Sequence, residues 1–220
     1  MHLEILFEDN HLIAINKPAG LMVEKDKFNN PSVEGEVESY FKEKKMSKNT
    51  IVGIVHRLDR PVSGTLLIAK KISILRDLNA QFSAKQITKK YFAVTNKKPK
   101  ELKATLKHWI VKDNLSKKAV IYGEQVKGST ACELKYELVS QSTNKYLLAV
   151  ELITGKYHQI RAQLAYIGCP IIGDERYGSK VYYRPNQICL HAKELVVTNP
   201  FTGQSIKFEA DFPDHDFWKK

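Results

Sequence analysis

Short apolar or alternating runs, closed off by polar turns of a few residues, recur along the whole chain and favour strands joined by tight connections over long helices. Leu3-Glu4-Ile5-Leu6-Phe7-Glu8 and His11-Leu12-Ile13-Ala14-Ile15 flank an Asp9-Asn10 turn. Ile51-Val52-Gly53-Ile54-Val55, Leu66-Leu67-Ile68-Ala69 and Tyr91-Phe92-Ala93-Val94 read as further strands. Cys132, Leu134, Tyr136 and Leu138 alternate with Glu133, Lys135 and Glu137, the pattern of a strand with one face in water. Tyr146 to Ile153 is apolar on both faces and suits a central position, and two last strands, near Ile188 to Val197 and Ser205 to Glu209, flank the Pro200-Phe201-Thr202-Gly203 turn. Helices are expected where the spacing changes to three and four: after a Ser32 N-cap through Val33, Val37, Tyr40 and Phe41, and again at Leu75, Leu78 and Phe82. A third is expected through Tyr157, Ile160, Leu164 and Ile167, closed by Gly168 with Pro170 beyond. The balance predicts an α+β fold, a single domain around a largely antiparallel mixed β-sheet flanked by helices and loops. A length of 220 residues suffices for one core and is short for two, so 1–220 is read as one domain.

Charge narrows the partners. With 35 Lys+Arg against 24 Asp+Glu the chain carries +11, which favours a polyanion. Lysines pair at Lys70-Lys71, Lys89-Lys90, Lys97-Lys98 and Lys117-Lys118, with Lys100, Lys103 and Lys107 nearby; such a patch could track a phosphate backbone or simply keep the chain soluble. Cys132, Cys169 and Cys189 are odd in number and widely spaced, so neither a disulfide framework nor a structural zinc is expected. The opening residues do not read as a secretory leader and no apolar run approaches the ~20 residues of a membrane helix. A cytoplasmic protein with no membrane association is the expectation.

Two segments concentrate the residues that could do chemistry. His56-Arg57-Leu58-Asp59-Arg60-Pro61-Val62-Ser63-Gly64 lies between two apolar strands, where loops are held rigidly, and sets a carboxylate between two arginines. An arginine within a few ångströms would favour the ionised carboxylate, the form that acts as a nucleophile or base. The same residues would also make a turn capped by Asp59 with its arginines in solvent. Thr154-Gly155-Lys156-Tyr157-His158-Gln159-Ile160-Arg161 opens the third helix, where backbone donors and cations suit a phosphate or carboxylate. His158 reads as a satisfied, partly buried histidine rather than a metal ligand, and Arg161, beside the apolar stripe, as the partner of a buried acid.

In combination these segments resemble the RluA-type family of RNA pseudouridine synthases. Asn16-Lys17-Pro18-Ala19-Gly20-Leu21 is similar to the family's first motif, and His56-Arg57-Leu58-Asp59 with Ser63-Gly64 to its catalytic loop. Thr154-Gly155, His158-Gln159-Ile160-Arg161, Gly168, Pro170 and Gly173-Asp174 resemble the third motif, and Leu190-His191-Ala192 with Pro200-Phe201-Thr202-Gly203 the last. The resemblance implies that Asp59 is the catalytic aspartate, Arg161 its ion-pair partner, and Tyr91 the tyrosine against the flipped uracil, where it could also assist proton transfer at C5. It implies that Leu190 contacts the base from the other side and that Arg57 helps fill the space the base leaves. His56 and Lys156 join the substrate-binding set. Breaking N1–C1′ and joining C5 to C1′ needs no redox change, so neither cofactor nor metal is implied. Asp59 could add to C6, attack C1′ or remove a sugar proton.

The partner implied is structured ribosomal or transfer RNA, with no obligatory protein partner and a monomer as the simplest state. Because the chain opens at the first catalytic strand, RNA recognition is expected to fall to the catalytic domain. Val62 stands where many relatives carry Thr, Glu24 where a histidine is frequent, and Lys156-Tyr157 where Arg-Thr is frequent; all three bear on RNA contacts more than on the reaction. Three other readings are weaker. Gly173-Asp174-Glu175-Arg176-Tyr177-Gly178-Ser179-Lys180 approaches a phosphate loop, but its last two residues are reversed and two acids would repel a phosphate. A glycoside hydrolase would need a second facing carboxylate. A non-catalytic RNA-binding protein would have little use for Asp59, Tyr91 and Arg161 together.

Overall fold

Alternation becomes antiparallel sheet in the computed structural model, which describes residues 3–28 and 30–219. In chain order the elements are β1 (Glu4–Glu8), β2 (Leu12–Lys17), α1 (Val33–Glu43), β3 (Gly53–Ile54), β4 (Ser63–Ala69), α2 (Ile72–Ser83), β5 (Thr88–Thr95), β6 (Lys103–Asp113), β7 (Lys118–Tyr122), β8 (Thr130–Ser142), β9 (Lys145–Leu152), α3 (Gln159–Tyr166), a 3-10 turn at Glu175–Tyr177, β10 (Leu190–Thr198) and β11 (Ser205–Glu209). The expected α+β class holds, with antiparallel pairing at every register described. The chain forms two compact units, one from Met1–Thr88 with Ala192–Phe212 and one from Lys89–His191 with Pro213–Lys220.

In the first unit the strands run in the order β1, β2, β4, β10, β11, with β3 against one end of β4. β4 is buried at every position. Leu12, Ala14, Leu67, Ala69, Leu195, Val197 and Phe208 from the strands meet Ile74 and Leu78 of α2 in one apolar cluster. Ser32 caps α1 as its spacing predicts, its hydroxyl accepting from Gly35 N at 3.2 Å. Three expectations shift. The strand expected over 51–55 shortens to two residues, and Ser63-Gly64, assigned to the loop, lie inside β4. Lys70, counted among the surface lysines, is buried instead; its ammonium donates to Glu8 Oε1 and to Asp9 O, both at 2.6 Å.

In the second unit the order is β5, β9, β8, β6, β7. Cys132, Leu134 and Tyr136 of β8 are buried as their alternation predicts. The β6–β7 hairpin was not legible beforehand. Lys103 of β6 faces Glu137 of β8 at 3.2 Å, and one strand pair further on Lys135 of β8 faces Glu151 of β9 at 3.8 Å, so basic and acidic side chains alternate on this part of the sheet. α3 ends as predicted: Gly168 at φ 81 lets its N–H reach Ala165 O while Cys169 N reaches Leu164 O. Tyr157, expected on the buried stripe of α3, precedes the helix and is exposed. Among the described residues no helix is long and apolar enough to cross a membrane.

Gly64 is the position where the packing of β4 leaves no room. Its φ is +117, and a Cβ there would lie 2.2 Å from Ala192 O and 2.6 Å from Ala192 N of β10. Both obstacles are backbone, so nothing can swing aside. Gly64→Ala is expected to destabilise the fold by about 3 kcal/mol or more, read as a drop in the urea midpoint; an unchanged midpoint would contradict this packing.

Candidate active site

The loop carrying Asp59 is fixed by the segment that follows β2. Gly20 N donates to Arg60 O at 2.7 Å and Arg60 Nε donates back to Gly20 O at 2.9 Å, a reciprocal clasp between the two loops. Asp59 O accepts from Val62 N at 3.0 Å, which closes a turn and leaves the Asp59 side chain half-buried. Beneath the clasp sits Lys17, 0% exposed. Its Nζ donates to Pro18 O and Leu21 O, each at 2.8 Å, and to Arg60 O at 3.3 Å. A buried ammonium costs several kcal/mol unless oxygens replace its water, and here three carbonyls match the three hydrogens of the protonated amine.

Burial still pushes the Lys17 pKa down, to about 7; the negative charge of Asp59 raises it and the positive charge of Arg60 lowers it. Lys17 therefore titrates near neutrality, and its ammonium form is in electrostatic reach of Asp59. The flanking arginines are turned to other partners. Arg57, exposed, donates from Nη1 to Glu24 Oε2 at 2.9 Å, and Arg60 is spent on the clasp. Adjacency in sequence fixed neither direction. His56 braces the loop from the other side: its Nε2 accepts from Leu67 N at 3.1 Å and its ring stacks on Phe82 at 5.2 Å. That bond places the proton of a neutral His56 ring on Nδ1.

The second unit carries the other candidate residues. Tyr91 lies on β5 opposite Val150 of β9 and is 8% exposed. Leu190 and His191 begin β10, both buried, with the His191 ring edge-on to Trp218 at 5.9 Å. Lys156 projects outward, and its backbone N–H donates to Gln159 Oε1 at 3.1 Å. Arg161 is buried in α3 and meets the acid its position called for: Nε donates to Asp174 Oδ2 at 2.7 Å and Nη2 to Oδ1 at 2.9 Å, with side-chain exposures of 5% and 2%. Such a forked pair is strong and geometrically specific. α3 buries other polar groups as well: Gln159 Nε2 donates to Glu133 O and Gln163 Oε1, and Gln163 Nε2 donates to Leu106 O, tying the helix to β6 and β8.

Sequence reasoning did not single out Lys17, Asp174 or Tyr177, the last of which has the Arg161 guanidinium over its ring at 5.1 Å. The first two lie within the motifs quoted above. Tyr177 lies in the stretch set aside as a near-phosphate loop, and one of the two acids that counted against that loop, Asp174, is the Arg161 partner. Cys132, Cys169 and Cys189 are free and buried, and burial pushes the Cys132 thiol up to about 11 and that of Cys189 up as well, which suits packing rather than nucleophilic attack. Among the described residues no group of three or more His, Cys, Asp or Glu is arranged to hold a metal ion.

Residues 11–166 match the family described as RNA pseudouridylate synthase. Over 214 residues the chain is 35% identical to ribosomal large subunit pseudouridine synthase C of Rickettsia prowazekii, covering 95% of this chain and 68% of that protein. The solved structure of human RNA pseudouridylate synthase domain containing 4 superposes with a TM-score of 0.80 at 22% identity, over 96% of this chain and 89% of that one. Human RNA pseudouridylate synthase domain containing 1 gives 0.80 at 20% identity, over 96% and 84%. The chain belongs to the RNA pseudouridylate synthase family, of the RluA type its motifs resemble, and is an isomerase.

Removing the ammonium beneath the clasp leaves buried carbonyls without donors, at about 1–3 kcal/mol each. Lys17→Met is expected to lower stability accordingly. Because the Lys17 pKa is depressed, the unfolded chain binds the extra proton between about pH 7 and 10.5, so wild-type stability gains on the variant as pH rises through that window. Urea titrations of both proteins from pH 6 to 10.5 read this directly; a constant difference would contradict it.

Proposed function

We propose that this isomerase converts a specific uridine of structured ribosomal RNA to pseudouridine by flipping the base out of the stack, with Asp59 as the catalytic carboxylate and no cofactor. The observation that carries the substrate is the 35% identity, over 95% of the chain, to a relative named for the large ribosomal subunit. Transfer RNA is the alternative substrate, and a pseudouridine map separates the two. The chain acts as one catalytic domain over 1–220, as a monomer without a protein partner, in the cytoplasm where ribosomes are made.

The reaction breaks N1–C1′, turns the base and forms C5–C1′; the proton on C5 leaves and N1 takes one up, so no electrons are exchanged. Asp59 opens the sequence by adding to C6, by attacking C1′ or by removing a sugar proton. Each route needs an ionised, fixed carboxylate, which is the use of Arg161 as its ion-pair partner, and the Lys17 charge supports the same state. Tyr91 stacks on the extruded uracil and assists at C5, Leu190 holds the other face, and Arg57 occupies the gap left in the RNA. Extruding a base costs a few kcal/mol, offset by stacking and phosphate contacts, to which His56, Lys156 and the exposed lysines contribute. Glu24 is the competitor that Arg57 must leave to reach RNA, and an exposed pair of this kind is worth only about 0–1 kcal/mol.

Wild type is expected to release tritium from 5-tritiated uridine in ribosomal RNA, and Asp59→Ala none while still binding it. Tight binding without release on any RNA would leave a binding module instead of an enzyme. Arg161→Lys keeps the charge but not the fork, and turnover is expected to fall on the order of 100-fold with affinity nearly unchanged; near-normal turnover would remove Arg161 from the reaction. Affinity for RNA should drop steeply between about 50 and 200 mM salt, and a flat profile would reduce the lysines to solubilising charges.

A further inference from the structure

Arg161 is gripped along its edge and across its face. The edge is forked onto Asp174, and the face lies over the ring of Tyr177, with Cζ 5.1 Å from the ring centroid. A carboxylate in line with a guanidinium fixes its reach but resists tilting about their shared axis only weakly. A ring against the face opposes that tilt.

Tyr177 is itself held at both ends. Its ring packs against the apolar cluster of Ile110, Ala119, Ile121, Cys132 and Ala162. Its hydroxyl accepts from Ala119 N at 2.7 Å and stands 2.9 Å from His158 Nδ1. The His158 ring meets the Tyr177 ring at 79° and has Tyr157 stacked on it at 3.8 Å. His158 occupies the left-handed region, φ 51 and ψ 24, at the residue just before α3, where glycine or asparagine would sit with less strain. What an imidazole supplies there is a ring nitrogen at the Tyr177 hydroxyl. His158 with Tyr157 stacked behind it, Ala119 on β7 and the 3-10 turn thus converge on one phenol.

We infer that Tyr177 is a positioning residue of the isomerisation, its ring setting the tilt of Arg161 and its hydroxyl, anchored by Ala119 and His158, setting the ring. The inference rests on Arg161 acting on the Asp59 carboxylate as proposed above. It gives a use to the stretch that resembles a phosphate loop: Asp174 and Tyr177 serve the arginine, and no phosphate is involved.

The test measures kcat and KM by tritium release, and the thermal midpoint, on the whole chain for Tyr177→Phe, Tyr177→Leu and His158→Gly. Tyr177→Phe keeps the ring but not its anchor, and kcat is expected to fall about 10-fold; Tyr177→Leu loses both, and about 100-fold is expected, with KM for RNA within about twofold in each. His158→Gly relieves the backbone and removes the imidazole, so kcat is expected to fall about 10-fold while the thermal midpoint stays level or rises. A merely structural role would not separate activity from stability in this way. Wild-type kcat in Tyr177→Phe and His158→Gly overturns the inference whether or not Tyr177→Leu folds, as does a kcat loss in His158→Gly that only tracks a lower midpoint. Slow Arg161→Lys with normal Tyr177 variants defeats the inference alone. Normal Arg161→Lys defeats the reading on which it rests.

Discussion

A cation taken out of water has to be met by oxygen, and that requirement shapes the chain around the residues of its site. Lys17 is fully buried, and its ammonium is met by the carbonyls of Pro18, Leu21 and Arg60. Those oxygens converge only if the segment after β2 and the loop before β4 bend toward each other, which the Gly20 and Arg60 clasp records. The path of the Asp59 loop follows from this convergence more than from any bond made by the Asp59 backbone. Arg161 obeys the same rule with a different oxygen source, the carboxylate of Asp174 brought round by the turn after Gly173.

Packing and chemistry share the same elements. β4 is buried along its whole length and approaches β10 so closely at Gly64 that only a hydrogen fits, and the same strand begins where the Asp59 loop ends. α3 buries Gln159, Arg161 and Gln163 along with its apolar residues. A helix filled with polar side chains is stable only when each finds a partner, and the partners found, on β6, β8 and the turn at Asp174, also hold Arg161 still. Rigidity of this kind is what holds a charged side chain in one orientation.

Much of the fold was legible because solvent-facing alternation is a local property. β8 and the Ser32 cap of α1 emerged where their patterns placed them. The β6–β7 hairpin leaves a weaker trace because its lysines read as an RNA surface, while the acid that faces Lys103, Glu137, comes from a strand distant in sequence. Tyr157 was assigned to a buried stripe because spacing assumes that a helix buries apolar residues, and α3 buries glutamines and an arginine instead. The motifs singled out Asp59 and Arg161, but not the surroundings of either. The arginines beside Asp59 in sequence point to Glu24 and Gly20, and the nearby charge comes from Lys17, which nothing local marks as buried. Which way a charged side chain turns is decided by tertiary contacts, and these leave no periodic trace.

The central claim is that this chain makes pseudouridine in ribosomal RNA through Asp59. A pseudouridine map of total RNA, from cells lacking the protein and from the same cells carrying wild type or Asp59→Ala, tests it most directly. The account predicts one or more ribosomal RNA positions that lose pseudouridine without the protein, regain it with wild type and do not regain it with Asp59→Ala. Ribosomal RNA maps that are identical in all three, or restoration by Asp59→Ala, would contradict it.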